Sequence, residues 1–128
     1  MEKKILNHKK LNKKILSLTY KDSAFELEDA QRKELVGGYI EEIVKHKNLV
    51  VIFDFRNIEK WSKRSIWEGA SDLKKHEEVA LKHVDRTFVI TSNSMLNSLI
   101  GVVLKIIKNK IKTTCHDNLK TALEEMEK

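Results

Sequence analysis

The run LVVIFDF, from Leu49 to Phe55, decides the fold of this chain. Its first five residues are all apolar, with no polar side chain at alternate positions. A strand with one solvated face alternates apolar and polar residues, whereas a strand covered on both faces is apolar throughout. The run therefore predicts a central strand of the parallel type, buried on both faces.

Strands and helices alternate on both sides of this run. The predicted strands are 14–20, 24–27, 49–53, 87–91 and 111–115. The predicted helices are 28–46, 62–82, 95–108 and a last one capped by Asp117. The first two strands, joined at Lys21–Ser23, are expected to form a hairpin. This order, ββαβαβαβα, predicts an α/β fold with a mixed, mostly parallel sheet and helices packed against it.

The composition is that of one small globular domain. The chain has 128 residues, of which 41% are hydrophobic and 34% charged, with a net charge of +6. Much of the positive charge lies near the N-terminus, where residues 1–14 hold six lysines against one glutamate. We expect residues 1–13 to be a basic, solvated lead-in to a single domain at 14–128. Nucleic-acid binding would depend on those lysines alone, so we do not expect it.

The cellular location is inferred from missing signals. No long apolar run follows the basic N-terminus, and the most apolar stretch, 95–107, is shorter than the roughly 20 residues of a transmembrane helix. The single cysteine, Cys115, has no partner for an internal disulfide. These features predict a cytoplasmic protein without a transmembrane segment.

Residues suited to catalysis or metal binding are poorly placed for either. No nucleophile turn of the Gly-x-Ser-x-Gly type occurs in the sequence. His76 and His83 lie two helical turns apart, about 10 Å along the axis, which is too far to chelate one ion. We therefore expect no catalytic residues, no metal and no cofactor, and a protein that is not an enzyme.

Several segments, in this order, resemble the STAS family of anti-sigma-factor antagonists and anion-transporter tails, and above all its small stand-alone bacterial members. The matching segments are FELEDAQ (25–31), VVIFDFRNI (50–58), WSKRS (61–65), TFVITSNSMLNSLIG (87–101) and NKIKTTCHDNLKTALEEM (109–126). The resemblance implies a regulatory, protein-binding domain. In the antagonists a serine at the start of the second helix is phosphorylated. Here Asp54 matches the preceding strand-end aspartate, but Lys63 lies near the phosphoacceptor position, which leaves Ser62 and Ser65 as substitutes.

The start of the second helix is the first candidate site. Helix N-termini present unpaired N–H groups that bind anions, and serine, lysine and arginine add further donors. These residue types meet here beside a tryptophan. The predicted binding or phospho-switch residues are Asp54, Trp61, Ser62, Lys63, Arg64 and Ser65. The alternative reading is a helix cap followed by a solvated basic turn.

The third predicted helix is the second candidate site, because its apolar residues surround nearly the whole helix. The predicted interface residues are Met95, Leu96, Leu99, Val103, Leu104 and Ile107. Such a helix is either enclosed in the core or covered by a homodimer, a protein partner or a lipid. Four lysines follow within residues 105–112 and would suit an anionic membrane surface.

Together these features predict a non-enzymatic, STAS-like regulatory module that acts through protein–protein contact at both candidate sites. A lipid-binding or anionic membrane-surface module is the alternative. A small anion is a further candidate ligand at the second helix.

Overall fold

The computed structural model describes residues 2–8, 13–46 and 48–127. Five strands are found there: β1 Glu2–His8, β2 Lys13–Thr19, β3 Leu49–Asp54, β4 Val84–Ile90 and β5 Thr113–His116. The α-helices are α1 Asp29–Val44, α2 Lys63–Lys74, α3 Glu77–His83, α4 Ser94–Ile106 and α5 Leu119–Met126. A short 3-10 helix at Asp22–Phe25 precedes α1.

The strands form one mixed sheet in the order β1-β2-β3-β4-β5. β1 and β2 are antiparallel, and the remaining neighbours are parallel. Each parallel connection passes through a helical segment, as strands of the same direction require. The predicted fold class and element order are therefore confirmed, with β3 at the centre of the sheet.

Two apolar cores lie on opposite faces of this sheet. Alternate residues of β3 point to opposite sides, so Val51 and Phe53 enter the core beneath the helices that connect the parallel strands. Val50 and Ile52 enter a second core with Ala122 of α5. β3 is thus buried on both faces, as its uninterrupted apolar run predicts.

Arg86 of β4 attaches α5 to this second face. Its guanidinium donates to the carbonyl oxygens of Glu125 and Met126, at 3.3 and 2.6 Å, and lies 5.3 Å from the centre of the Phe88 ring. Carbonyl groups at a helix C-terminus lack intrahelical partners and carry partial negative charge, so a cation stabilises them. One side chain therefore ties the end of α5 to the sheet.

The predicted hairpin is formed by other residues. The expected strand at 24–27 is wrong, because Ala24 N donates to Lys21 O at 2.9 Å and closes a 3-10 turn. The partner of β2 is β1, in the segment expected to be a lead-in. An ion pair of 2.7 Å between Lys3 and Glu42 of α1 also holds β1 in place.

Two helix boundaries also differ from the prediction. The single helix expected at 62–82 is interrupted at Lys75 and His76, so α2 and α3 are separate. The Glu77 carboxylate just after the break is buried and accepts from Lys74 Nζ and Lys110 N, at 2.7 and 2.9 Å. These two contacts stabilise the break between α2 and α3. The cap of α5 is Asn118 and not Asp117.

Candidate functional site

The first turn of α2 is closed by its own two serines. The backbone N–H of Ser65 donates to Ser62 Oγ and that of Ser62 to Ser65 Oγ, both at 3.0 Å. The Ser65 hydroxyl also donates to the carbonyl oxygen of Ser62 at 2.8 Å. This reciprocal capping satisfies N–H groups that the helix leaves without partners. Ser62 is therefore the N-cap that the sequence predicts, and its hydroxyl is engaged in that role.

Asp54 lies at the end of β3 and is paired with Arg56. The arginine donates from Nε to Oδ1 at 2.9 Å and from Nη2 to Oδ2 at 2.7 Å, and its backbone N–H adds a bond of 3.1 Å to Oδ1. Burial alone would raise the pKa of the Asp54 carboxyl, but the bonds from Arg56 outweigh it and the pKa is lowered. Among the described residues, no hydrogen bond of Asp54 reaches the serines of α2.

The remaining residues predicted at this site divide between core and solvent. Trp61 is half-buried and packs against the first core. Lys63 and Arg64 are exposed, and Arg64 pairs with Glu68 one turn along, at 2.6 Å. The second tryptophan, Trp67, is 43% exposed. The start of α2 therefore presents cationic side chains and an indole ring, while its serines and Asp54 have internal partners.

An ion-pair network between α1 and α2 was not predicted from the sequence. Arg32 of α1 donates to Asp29 at 2.7 Å, to Glu68 at 2.8 Å and to Asp72 at 2.5 Å. Burial by itself would raise the pKa of Asp72, but the bonds from Arg32 and Lys75 lower it overall. No local pattern indicates a pairing across 40 residues, so only the packing of the two helices shows it.

α4, the third predicted helix, has an apolar stripe on its outer face. Met95 is 72% exposed, Val102 51% and Ile106 59%, with half-buried Leu99 between them. Intervals of four, three and four residues place these side chains on one side of a helix. Of the six predicted interface residues, Met95 and half-buried Leu99 lie on the stripe, and four lie elsewhere: Leu96 and Val103 are buried, and Leu104 and Ile107 are half-buried against the first core.

The end of α4 and the segment that follows it are strongly cationic. From Met95 to His116 the sequence contains no aspartate or glutamate. The four lysines of this stretch are all exposed: Lys105, Lys108, Lys110 and Lys112. An apolar stripe close to positive charge suits an anionic surface that also offers apolar groups.

A cavity of about 170 Å³ lies inside the helix layer, between the sheet and the helices. Its wall is mostly apolar and includes Phe53 and Phe55 from the sheet side and Ile66, Gly69 and Leu104 from the helices. Protein cores contain few voids larger than a water molecule. A partly open space of this size with apolar walls is therefore unusual in a small domain.

Two tyrosines in the cavity wall have unused hydroxyl groups. Tyr20 and Tyr39 are both more than nine-tenths buried. Neither hydroxyl makes a hydrogen bond to the described residues, and neither oxygen is completely enclosed, so both are open to the cavity or to solvent. Burial raises the pKa of both, and Tyr39 adds to the rise at Tyr20. Both phenols are therefore protonated at neutral pH and have a donor to offer.

Comparison of the chain with protein families, curated proteins and solved structures gave no match. No helix in the described ranges is both long enough and apolar enough to cross a membrane. The described residues also contain no group of three or more histidine, cysteine or acidic side chains arranged to hold a metal ion. The site must therefore be interpreted from its own geometry.

Proposed function

We propose that this protein is a non-enzymatic, STAS-like binding module that holds an acidic protein partner against the outer face of α4. The observation that carries the proposal is the stripe of Met95, Val102 and Ile106, together with the exposed lysines at and after the end of α4. Single exposed apolar residues are common on soluble proteins, but aligned ones characterise interaction surfaces.

The positive charge near the stripe indicates whether the partner is a different protein or a second copy of this chain. In a two-fold dimer the same patch meets itself, so both copies would bring the same excess of lysines to one interface. Like charges across an interface are unfavourable, whereas a partner with carboxylates around an apolar centre complements them. The positive charge of these lysines therefore favours an acidic partner.

The start of α2 extends the proposed surface. α2 and α4 both follow parallel strands, so both helices begin at the carboxyl edge of the sheet. A partner that covers Met95 at the start of α4 can also reach Lys63 and Trp67, which are exposed on α2. Phosphorylation of Ser62 or Ser65, which the STAS resemblance suggests, would replace a hydroxyl of the reciprocal cap with a negatively charged group and so change the charge of this edge.

Site-specific photo-crosslinking in the native host tests the proposal. A photoreactive residue at Val102 should give adducts with a protein other than this chain. The matched control places it at Leu81 of α3, an apolar side chain that is 44% exposed, and should give none. Mass spectrometry then identifies the adducts. Equal adducts at both positions, or adducts only with this chain itself, would refute the proposal.

An anionic membrane surface is the second candidate, and the same four lysines favour it. Flotation with phosphatidylcholine vesicles, with and without phosphatidylserine, separates the two. Salt-sensitive binding to the anionic vesicles alone, lost in Val102→Glu and kept in Leu81→Glu, would assign the stripe to lipid. Failure to bind either vesicle eliminates this candidate.

A further inference from the structure

We propose that the cavity in the helix layer binds a neutral, ring-sized apolar molecule that carries one hydroxyl or carbonyl group. This inference does not depend on the proposed partner surface. Leu104 lines the cavity, and helical geometry places it on the opposite side of α4 from Met95 and Val102. Binding in the cavity and docking on the stripe can therefore be tested separately.

The size and wall of the cavity set the class of ligand. Its volume of about 170 Å³ is close to that of a designed apolar cavity of about 150 Å³ that binds benzene. Aromatic rings form part of the wall: the ring centroids of Tyr39 on α1 and Phe53 on β3 lie 5.4 Å apart, and those of Phe25 and Phe55 lie 5.3 Å apart. Such a wall suits one ring or a compact branched hydrocarbon.

The charged groups at the wall are already compensated, which favours a neutral ligand. Arg32 has three carboxylate partners, and Lys74 pairs with Glu77 at 2.7 Å. An ionic ligand would lose its hydration without gaining an unpaired counter-charge. The polar groups left over include the hydroxyls of Tyr20 and Tyr39, and a hydroxyl or carbonyl on the ligand would satisfy one of them.

Gly69 supplies part of the space. It lies on the inner face of α2, lines the cavity, and a Cβ atom added there would meet no atom within 4 Å. Gly38 of α1 is equally free of neighbours but is exposed and is not part of the cavity wall. The two glycines are therefore a matched pair for a filling experiment.

The experiment titrates the intact protein with toluene, p-cresol and the anion p-toluate, using amide resonances of cavity-wall residues as the readout. We expect saturable shifts with toluene and p-cresol, with p-cresol bound roughly fivefold more tightly through one added hydrogen bond. p-Toluate should not bind. Gly69→Leu should weaken both neutral probes at least tenfold, and Gly38→Leu should leave them unchanged.

A double variant covers the case in which Gly69→Leu does not fold. Tyr20→Phe combined with Tyr39→Phe keeps the cavity and removes both hydroxyls. It should bind toluene as well as the wild type does and lose the preference for p-cresol. The proposal is overturned if the wild type shows no saturable shifts, if Gly69→Leu binds normally, or if the double variant keeps the preference.

Discussion

The start of α2 and the outer face of α4 differ in whether their side chains have partners within the protein. At α2, Ser62 and Ser65 cap each other and Arg32 links the helix to α1 through Asp72. On α4, Met95 and Val102 project into solvent. The polar cluster therefore mainly stabilises the fold, whereas the apolar stripe adds nothing to it. Residues that contribute little to folding are the ones available for binding.

Among changes in the polar cluster, removing the arginine at its centre should have the largest effect on stability. Arg32→Ala leaves the buried Asp72 without its closest partner, and we expect a loss of about 2 kcal/mol in the free energy of unfolding. Urea denaturation measures it. Arg64→Ala, at an exposed arginine with a single partner, is the control and should change little. An unchanged midpoint in Arg32→Ala would mean that the network is not structural.

Acid should weaken the same cluster. The loss of stability from any one group should be smaller than in Arg32→Ala, because protonation neutralises a carboxylate instead of leaving its charge unpaired. The pKa of Asp72 in the folded protein is lowered, below its unfolded value of about 3.9. Its contribution is complete above that value and is lost as the pH falls through the folded pKa. Urea denaturation from pH 6 to pH 3 should show a weaker acid dependence in Asp72→Asn than in the wild type. Parallel curves for the two proteins would contradict this assignment.

The cap of α2 should contribute a smaller amount. Ser62→Ala removes the oxygen that accepts from Ser65 N, and loss of such a cap costs about 1 kcal/mol. Thermal unfolding followed by circular dichroism measures the change. Ser98→Ala, at an exposed position within α4, should have almost no effect. Equal losses in both variants would show that Ser62 has no special role as a cap.

Substitutions in the stripe should have the smallest effect on stability and the largest on binding. Val102→Glu and Ile106→Glu change side chains that are more than half exposed, so the free energy of unfolding should stay within about 0.5 kcal/mol. Val103→Glu, at a buried neighbour, should destabilise the fold strongly. Urea denaturation of the three variants checks this contrast. A severe loss in Val102→Glu would place that residue in the core.

The sequence predicts those parts of the fold that depend on local patterns. The apolar run at Leu49 marks the central strand, and Ser62 marks the start of α2. β1 escapes prediction because Ile5 and Leu6 are its only apolar residues and its strand conformation depends on pairing with β2. The sequence does not predict the break before α3, because a contact with the distant Lys110 stabilises it.

The candidate site is less predictable because exposure is a property of the whole fold. The composition of α4 indicates an interface, yet it cannot show that Leu104 faces the cavity while Val102 faces solvent. The lining of the cavity comes from segments between Tyr20 and Thr113, so no stretch of sequence reveals it. The pairing of Arg32 with Asp72 has the same long-range origin.

The attachment of α5 by Arg86 has a consequence for biosynthesis. α5 follows every strand of the sheet in the chain, so a ribosome completes the strands before it makes the helix that packs on their second face. Until α5 emerges, Phe88 and Ile90 of the nascent chain have no cover from it. A nascent chain that lacks α5 thus exposes an apolar sheet face, and such surfaces promote aggregation. Docking of α5, held by Arg86, then covers this face of the sheet.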